Sequence, residues 1–258
     1  MEALGIRGIC YDSGSSYLKG PAGAPTLIRK ALRSGMMNLY TETLGDLSSW
    51  ETSDLGDFEI QNYLDIEGLT REHLTRKPKL FTLGGDHSIT YPIVKAYAGN
   101  HQKLDLLQID AHPDLYQHYE GDPYSHACPF ARIMEEGLAQ RLVQVGIRTL
   151  NPHQKEQAER FGVEMYTMPA GMPELPLQFS NPVYVSVDID ALDPAFAPGV
   201  SHRESGGLTP REVITLLQSI EGEVVGADLV EYNPLRDLDG MTSEVGAKLM
   251  KELLGLLL

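Results

Sequence analysis

The chain has 258 residues, 42% of them hydrophobic, which is enough for one large α/β core. The excess of 36 acidic over 21 basic residues gives a net charge of −15, which argues against a nucleic-acid backbone as partner and would steer a small cation inward. No run of about 18 apolar residues offers a membrane span. The opening MEALGIRGIC lacks the basic and apolar regions of a signal peptide. Only two cysteines are present, Cys10 and Cys128, as in a reducing compartment, so a cytoplasmic location is expected. No linker, repeat or composition break divides residues 1–258, which read as a single domain.

Residues 4–10, LGIRGIC, read as a first strand, and YDSGSSYLKGPAGAP after it as loop. Ala24 to Leu32 predicts a helix with Pro25 in its first turn. Residues 38–60 carry weaker signals: a short strand near Leu39 and a turn at Asp54-Leu55-Gly56-Asp57. A helix is expected over Glu67–Arg76, a strand at KLFTLGG and a helix over Ser88–Tyr97, behind His87. Leu104–Asp110 reads as the central strand, 111–127 as a polar loop, and about 129–138 as a helix. Strands are expected at Leu142–Ile147 and Val163–Tyr166, with a helix at Pro152–Phe161 between them. Four prolines within 168–182 predict irregular backbone before a strand over Val183–Asp190 and a long loop over 191–208. Thr209-Pro210-Arg211-Glu212 is a capping-box pattern opening a helix. Val224–Val230 is a strand ending at Glu231, and a last helix begins near Ser243. This alternation predicts an α/β fold, a three-layer α/β/α sandwich around a mainly parallel sheet.

Chemistry gathers at three strand ends. In LLQIDAHPD, the side chains of Asp110, His112 and Asp114 would share one face if the backbone stays extended. VYVSVDID sets Asp188 and Asp190 alike, and LFTLGGDHS delivers His87 after a Gly-Gly turn. Parallel α/β sheets place ligand sites at such C-terminal strand ends. A single Asp there is more often an N-cap, and a lone His more often a hydrogen-bonded structural residue. Three similar ends strain that bland reading. Four carboxylates packed together repel and shift their pKa values unless cations cancel the charge. An oxygen-rich set with two imidazoles and no thiol suits Mn²⁺ better than a structural Zn²⁺.

GGDHS (84–88), DAHPD (110–114), SVDIDALDPAFAPG (186–199) and GADLVEYNP (226–234) together resemble the ureohydrolases, the arginase and agmatinase family. The resemblance runs over nearly the whole chain. HPDLY, YSHACPFARIME and PGVSHRESGGL are similar to arginases of plants and their bacterial relatives more than to animal arginases. The resemblance implies two Mn²⁺ ions per subunit, one held by His87, Asp110, Asp114 and Asp188, the other by Asp110, His112, Asp188 and Asp190. Asp110 and Asp188 would bridge. It further implies that Glu231 binds the substrate guanidinium and that His126 transfers protons, as imidazole chemistry near neutral pH allows. Tyr116, Ser201, His202 and Arg203 are candidates for reading the substrate's far end; Arg203 would either pair with a carboxylate or be a surface charge. Two departures are visible. Val200-Ser201-His202-Arg203 replaces a Thr-Gly-Thr-Pro type loop, and Tyr116 stands where animal arginases have Asn.

The implied activity is hydrolysis of a linear guanidino C–N bond with release of urea, on L-arginine (to ornithine) or agmatine (to putrescine). A formiminoglutamase or other guanidino-acid hydrolase is the alternative. A non-catalytic scaffold would be marked by lost ligands, and none is lost. The implied partners are a small cationic guanidino substrate and further copies of the chain, as a trimer or hexamer, with neither nucleic acid nor membrane. Asp86 reads as an orienter of His87 or as structural, Cys128 as small packing, and His73, His101, His118 and His153 as surface residues.

Overall fold

Strands buried under helices on both sides carry apolar residues on both faces. Here β1 (Leu4–Cys10), β3 (Lys79–Leu83), β4 (Asp105–Ile109), β5 (Arg141–Ile147), β8 (Val183–Asp188) and β10 (Val224–Val230) are almost wholly buried. With β2 (Thr52–Glu59) and β6 (Glu164–Thr167) at the edges they form one sheet in the order β2-β1-β3-β10-β8-β4-β5-β6, parallel throughout. The structure is a computed structural model and describes residues 4–258. Residues 1–3, part of the stretch read against a signal peptide, lie outside the described residues.

Consecutive strand residues point to opposite faces. Phe81, Leu107, Val143 and Val185 pack with α1 (Ala24–Leu32), α6 (Pro210–Gln218) and α7 (Met241–Leu257) through Ile28, Leu217 and Leu253. Their neighbours Leu80, Leu106, Leu142 and Tyr184 pack on the other side. There they meet Ile66 of α2 (Asp65–Leu74), Val94 of α3 (Thr90–Ala98), Ile133 of α4 (Pro129–Glu135) and Ala158 of α5 (Pro152–Phe161). The three-layer α/β/α sandwich is therefore a sheet with two separate apolar cores. Each fully buried large side chain contributes roughly 1.5–3 kcal/mol. The capping box of α6 forms as its sequence predicts: Thr209 and Glu212 bond each other's backbone N–H groups.

Several expectations fail for identifiable reasons. Asp54–Asp57 is not a turn but part of β2. Gly56, at φ +88°, takes up a bulge that skips Leu55 in the pairing with β1. The acidic side chains of this edge strand pair with α1, Arg33 to Asp54 at 2.6 Å and Arg29 to Asp57. Near Leu39 there is only an isolated bridge, Tyr40 to Asp46. The proline-rich segment holds a two-residue strand, β7 (Leu177–Gln178), paired with β9 (Ile220–Glu221) beyond α6. His73 is not a surface residue. It is buried beside the fully buried Arg7, whose guanidinium also bonds Thr82 at 3.0 Å and Thr70 at 2.9 Å. Burial, then the Arg7 charge, pushes its pKa down to about 4. His101 is half-buried and stacks on Tyr97, whereas His118 and His153 are exposed.

The order of strands sets up the site. Between β3 and β4 the chain jumps across two places that β10 and β8 later fill. The C-terminal ends of β3, β10, β8 and β4 thus stand side by side at the topological switch, where a crevice opens. The turn after β3 fits there only because residue 85 is glycine: a Cβ would lie 1.7 Å from the Tyr11 carbonyl oxygen. Gly85→Ala should therefore lose about 1–3 kcal/mol or more in urea denaturation, as overpacked sites do. Gly68→Ala, in α2 with open space around it, should gain about 0.5–1 kcal/mol. Equal midpoints for the two variants would refute this account of the turn.

Candidate metal centre and substrate cavity

The ligand-bearing segments converge, but not by strand alternation. β4 ends at Ile109, and Asp110 folds back so that its Oδ1 accepts the His112 N–H at 2.7 Å. Asp188 ends β8 in the same way, accepting the Asp190 N–H at 2.7 Å, with Asp190 already in a 3₁₀ turn. Asp86 accepts from the Ser88 N–H at 3.1 Å. The turn-forming role of a strand-end Asp and its place in the site thus coexist in one side chain. Asp114 (φ 50°) and Glu231 (φ 65°) sit in the left-handed region that non-glycine residues rarely occupy.

His87 Nδ1 is the centre of the first group. It lies 3.1 Å from Asp110 Oδ2, 3.1 Å from Asp114 Oδ2 and 3.2 Å from Asp188 Oδ2. In the second group His112 Nδ1 lies 3.1 Å from Asp190 Oδ2 and 3.5 Å from Asp110 Oδ1. Asp110 offers one oxygen to each group. His87, Asp110 and Asp114, and separately Asp110, His112 and Asp190, bring ligand atoms within 4.8 Å of one another. Asp188 adds its Oδ2 to the first group, while its Oδ1 is engaged by the Asp190 backbone.

The far side of His87 decides which nitrogen faces the carboxylates. Ser186 Oγ donates to Asp228 Oδ1 at 2.6 Å, so it must accept from His87 Nε2 at 2.9 Å. Nε2 therefore carries hydrogen, and Asp228 is itself held by Thr90 (2.9 Å) and Tyr184 (3.0 Å). That leaves Nδ1 buried, aimed at three carboxylates, and without a well-directed hydrogen bond. A proton on Nδ1 can serve one of the three acceptors at a time; a divalent cation serves all of them. The residues present fit a metal.

In the chain alone, protons must do a cation's work. Burial, then the charges of Asp190 and Asp110, pushes Asp188 well above the usual carboxylate range. Burial and Asp110 raise Asp114 to about 6. Burial would lower both His87 and His112, but the facing carboxylates override it and raise both.

Beside this cluster, at the end of β10, Glu231 Oε1 accepts from the His87 backbone N–H at 2.9 Å and meets His126 Nδ1 at 2.8 Å. These contacts fall on Oε1 and leave Oε2 for another partner. Burial alone would lower the His126 pKa, but Glu231, by charge and hydrogen bond, holds it up at about 9. Burial raises Glu231; the charge and hydrogen bond of His126 outweigh it and leave the carboxyl below its usual range. His202 stands 5.4 Å from the His126 ring and 5.7 Å from that of His112, and burial followed by these two charges pushes it down.

In front of this cluster lies a cavity of about 200 Å³ lined by His112, Asp114, His126, Asp188, Asp190, His202 and Glu231. Tyr116 also lines it, with its hydroxyl bonded to Asn151. Two expected substrate contacts are not brought there. Ser201 is buried, donating to the Leu18 carbonyl at 3.3 Å and accepting from Asn233 at 2.9 Å. Arg203 turns away, donating to the carbonyls of Pro198 and Arg236, both at 2.7 Å. The four-residue loop Val200–Arg203 therefore presents only His202. Ser16, Tyr119, Thr149, Gln154 and Glu204 line the cavity without having been singled out from the sequence. They come from four separate loops and from the start of α5, and only the folded chain brings them together. Cys128 is fully buried, with a thiol pushed up to about 12 mainly by burial, consistent with packing.

A model of the Arginase family matches residues 2–255. The chain belongs to the arginase family. It is 45% identical to arginase 1, mitochondrial, of Arabidopsis thaliana, over 96% of this chain and 79% of that protein. It is 36% identical to the human guanidino acid hydrolase, mitochondrial, over 96% of this chain and 76% of that protein. The structure of arginase from Medicago truncatula superposes with a TM-score of 0.94 at 40% identity, covering 99% of this chain and 88% of that one. The chain is thus an arginase-family ureohydrolase; the family's enzymes are metal-dependent hydrolases of small guanidino compounds, and the buried His and Asp clusters here could bind metal.

The His126–Glu231 pair makes a pH prediction for this ureohydrolase. A raised histidine pKa means the charged pair persists below about 9 and is lost as pH rises through it. In chelator-stripped protein, the His126 imidazole should titrate near 9 by NMR. In Glu231→Gln it should fall well below that, because burial then outweighs the remaining attraction. An unchanged titration in the variant would mean that Glu231 does not hold the proton on His126.

Proposed function

We propose that this chain is a binuclear manganese hydrolase that cleaves the guanidino C–N bond of L-arginine to give ornithine and urea. The observation that carries it is the buried His87 Nδ1 aimed at three carboxylates, a short way from a Glu231 oxygen left open. His87, Asp110, Asp114 and Asp188 would hold one Mn²⁺, and Asp110, His112, Asp188 and Asp190 the other. The donor set is hard, mixed N and O, without a thiol. Bound there, such ions supply Lewis acidity that makes a hydroxide nucleophile accessible near neutral pH.

The chain's own residues do the rest. Glu231 binds the planar guanidinium through Oε2 by a charge-assisted contact and so orients its carbon toward the carboxylate cluster. As the C–N bond breaks, the departing amine takes a proton from His126, which the Glu231 pairing keeps protonated at neutral pH. The buried strand ends keep competing solvent from these contacts.

Substrate choice lies at the far end of the cavity. Similarity to plant arginases favours L-arginine, whose carboxylate would meet the neutral donors Tyr116, Tyr119, Thr149 and Gln154. Agmatine is the second reading, because among the described residues no lysine or arginine lines the cavity and Arg203 is engaged elsewhere. The same feature disfavours formiminoglutamate and other guanidino acids whose far end is a carboxylate alone. We further propose a single domain over 1–258, since both cores share one sheet. A cytoplasmic homo-oligomer, trimer or hexamer, completes the reading. Among the described residues no helix is long and apolar enough to cross a membrane.

Product release from the Mn²⁺-loaded protein across arginine, agmatine, 4-guanidinobutyrate and formiminoglutamate tests this. Arginine should give the highest kcat/KM, and Arg203→Ala should change KM for arginine and agmatine by less than about twofold, as for a surface residue. A preference for either acid, or a selective loss on arginine in Arg203→Ala, would overturn the assignment of the cavity's far end.

A further inference from the structure

His126 is held at both ring nitrogens. Nδ1 meets Glu231 Oε1 at 2.8 Å, and Nε2 meets Ser16 Oγ at 2.8 Å. Glu231 Oε1 already accepts the His87 backbone N–H at 2.9 Å, so Nδ1 supplies the hydrogen on that side. Nε2 is then the nitrogen that gains and loses the mobile proton. A serine hydroxyl suits it in both states, accepting from Nε2–H when the ring is charged and donating to Nε2 when it is neutral. The hydroxyl also lines the cavity, at an exposed residue, while His126 is only 8% exposed.

The position of Ser16 is built rather than incidental. The His126 backbone N–H donates to the Gly14 carbonyl at 3.0 Å, which ties the two loops together two residues before Ser16. Ser15 donates to Asp86 at 3.2 Å. The Asp12 carboxylate accepts the Gly20 N–H at 2.7 Å, and Asn233 donates to the Lys19 carbonyl at 3.2 Å. At Gly14 a Cβ would lie 2.7 Å from Ser88 Oγ, so the loop is seated directly on the turn after β3. The segment around Ser16 is therefore fixed to the same strand ends that carry His87 and Glu231.

We propose that Ser16 is a positioning residue for His126: its hydroxyl aims Nε2 into the cavity and keeps the imidazole aligned as the proton leaves and returns. This rests on the reading of His126 as the proton donor. In the step, the Nε2–H is shared between Ser16 Oγ and the departing amine; the Nε2–H bond breaks, an N–H bond forms on the amine, and the Ser16 O–H then turns to donate to the neutral ring. The ring later regains a proton from water, and Ser16 ends as it began.

The test is kinetic, on the Mn²⁺-loaded protein with arginine, at several pH values between about 6 and 10, a range that brackets the ordinary and raised histidine pKa. Ser16→Ala should lower kcat about tenfold with KM within about twofold, the loss of one interaction made in the proton-transfer state. Ser16→Thr, which keeps the hydroxyl, should recover most of the rate. In a His126→Asn background, Ser16→Ala should cost less than about twofold, because a residue acting through His126 has nothing left to position. A parental kcat in Ser16→Ala, or the same loss with His126 absent, would overturn the role of Ser16. A parental kcat in His126→Asn would instead overturn the proton role of His126 beneath it. Thermal unfolding of each variant separates misfolding from either result.

Discussion

The structure depends on a concentration of like charge that only histidines offset among the described residues. Asp110, Asp114, Asp188, Asp190 and Glu231 crowd the ends of three neighbouring strands, and among the described residues no lysine or arginine side chain pairs with their carboxylates. Their ion-pair partners are three histidines, whose protons supply positive charge there. Buried carboxylates at such distances raise one another's pKa values and oppose folding. The sheet can hold them because its two apolar cores are extensive and because each strand end is fixed by its own side chain. Asp110 and Asp188 cap the turns that follow them, and Gly85 lets the His87 turn press against Tyr11. The site is thus a strained, highly charged construction on a rigid base, as expected where folding stability is traded for metal binding.

Behind the carboxylates, the relay from His87 through Ser186 to Asp228 has a different job. It keeps a hydrogen on Nε2, so that Nδ1 is the nitrogen turned to the charged cluster and the one a cation would take in place of a proton. Such outer partners set ligand orientation and basicity. The same logic recurs on His126, where Glu231 fixes one nitrogen and Ser16 meets the other. In both histidines an outer partner fixes one ring nitrogen and so sets where the other one points.

Much of this was legible in the sequence, for a physical reason. Asp110, His112 and Asp114 are close in sequence, so any local turn keeps them together, and a buried strand before them is visible as Leu106, Leu107 and Ile109. That they converge by folding back rather than by alternation does not alter which residues meet. The capping box of α6 is legible for the same reason. By contrast, Ser16 and His126 are 110 residues apart, and no pattern in a Ser- and Gly-rich loop distinguishes Ser16 from Ser15. Arg203 is a different case, because its charge is compatible with a carboxylate partner or with a place on the surface. Charge alone does not tell the two apart; the folded chain does, where backbone carbonyls of its own and a neighbouring loop engage the guanidinium. Asp54–Asp57 looked like a turn because strand propensity counts acids and glycine against a strand, whereas the arginines of α1 make an acidic edge strand favourable.

The claim beneath all of these is that the carboxylate cluster is organised by cations shared through Asp110. Titrating chelator-stripped protein with Mn²⁺ by calorimetry tests it most directly. Two saturable equivalents per chain are predicted, with both tight sites weakened in Asp110→Asn because that residue offers one oxygen to each group. Absence of saturable binding, or two undiminished equivalents in Asp110→Asn, would contradict the account.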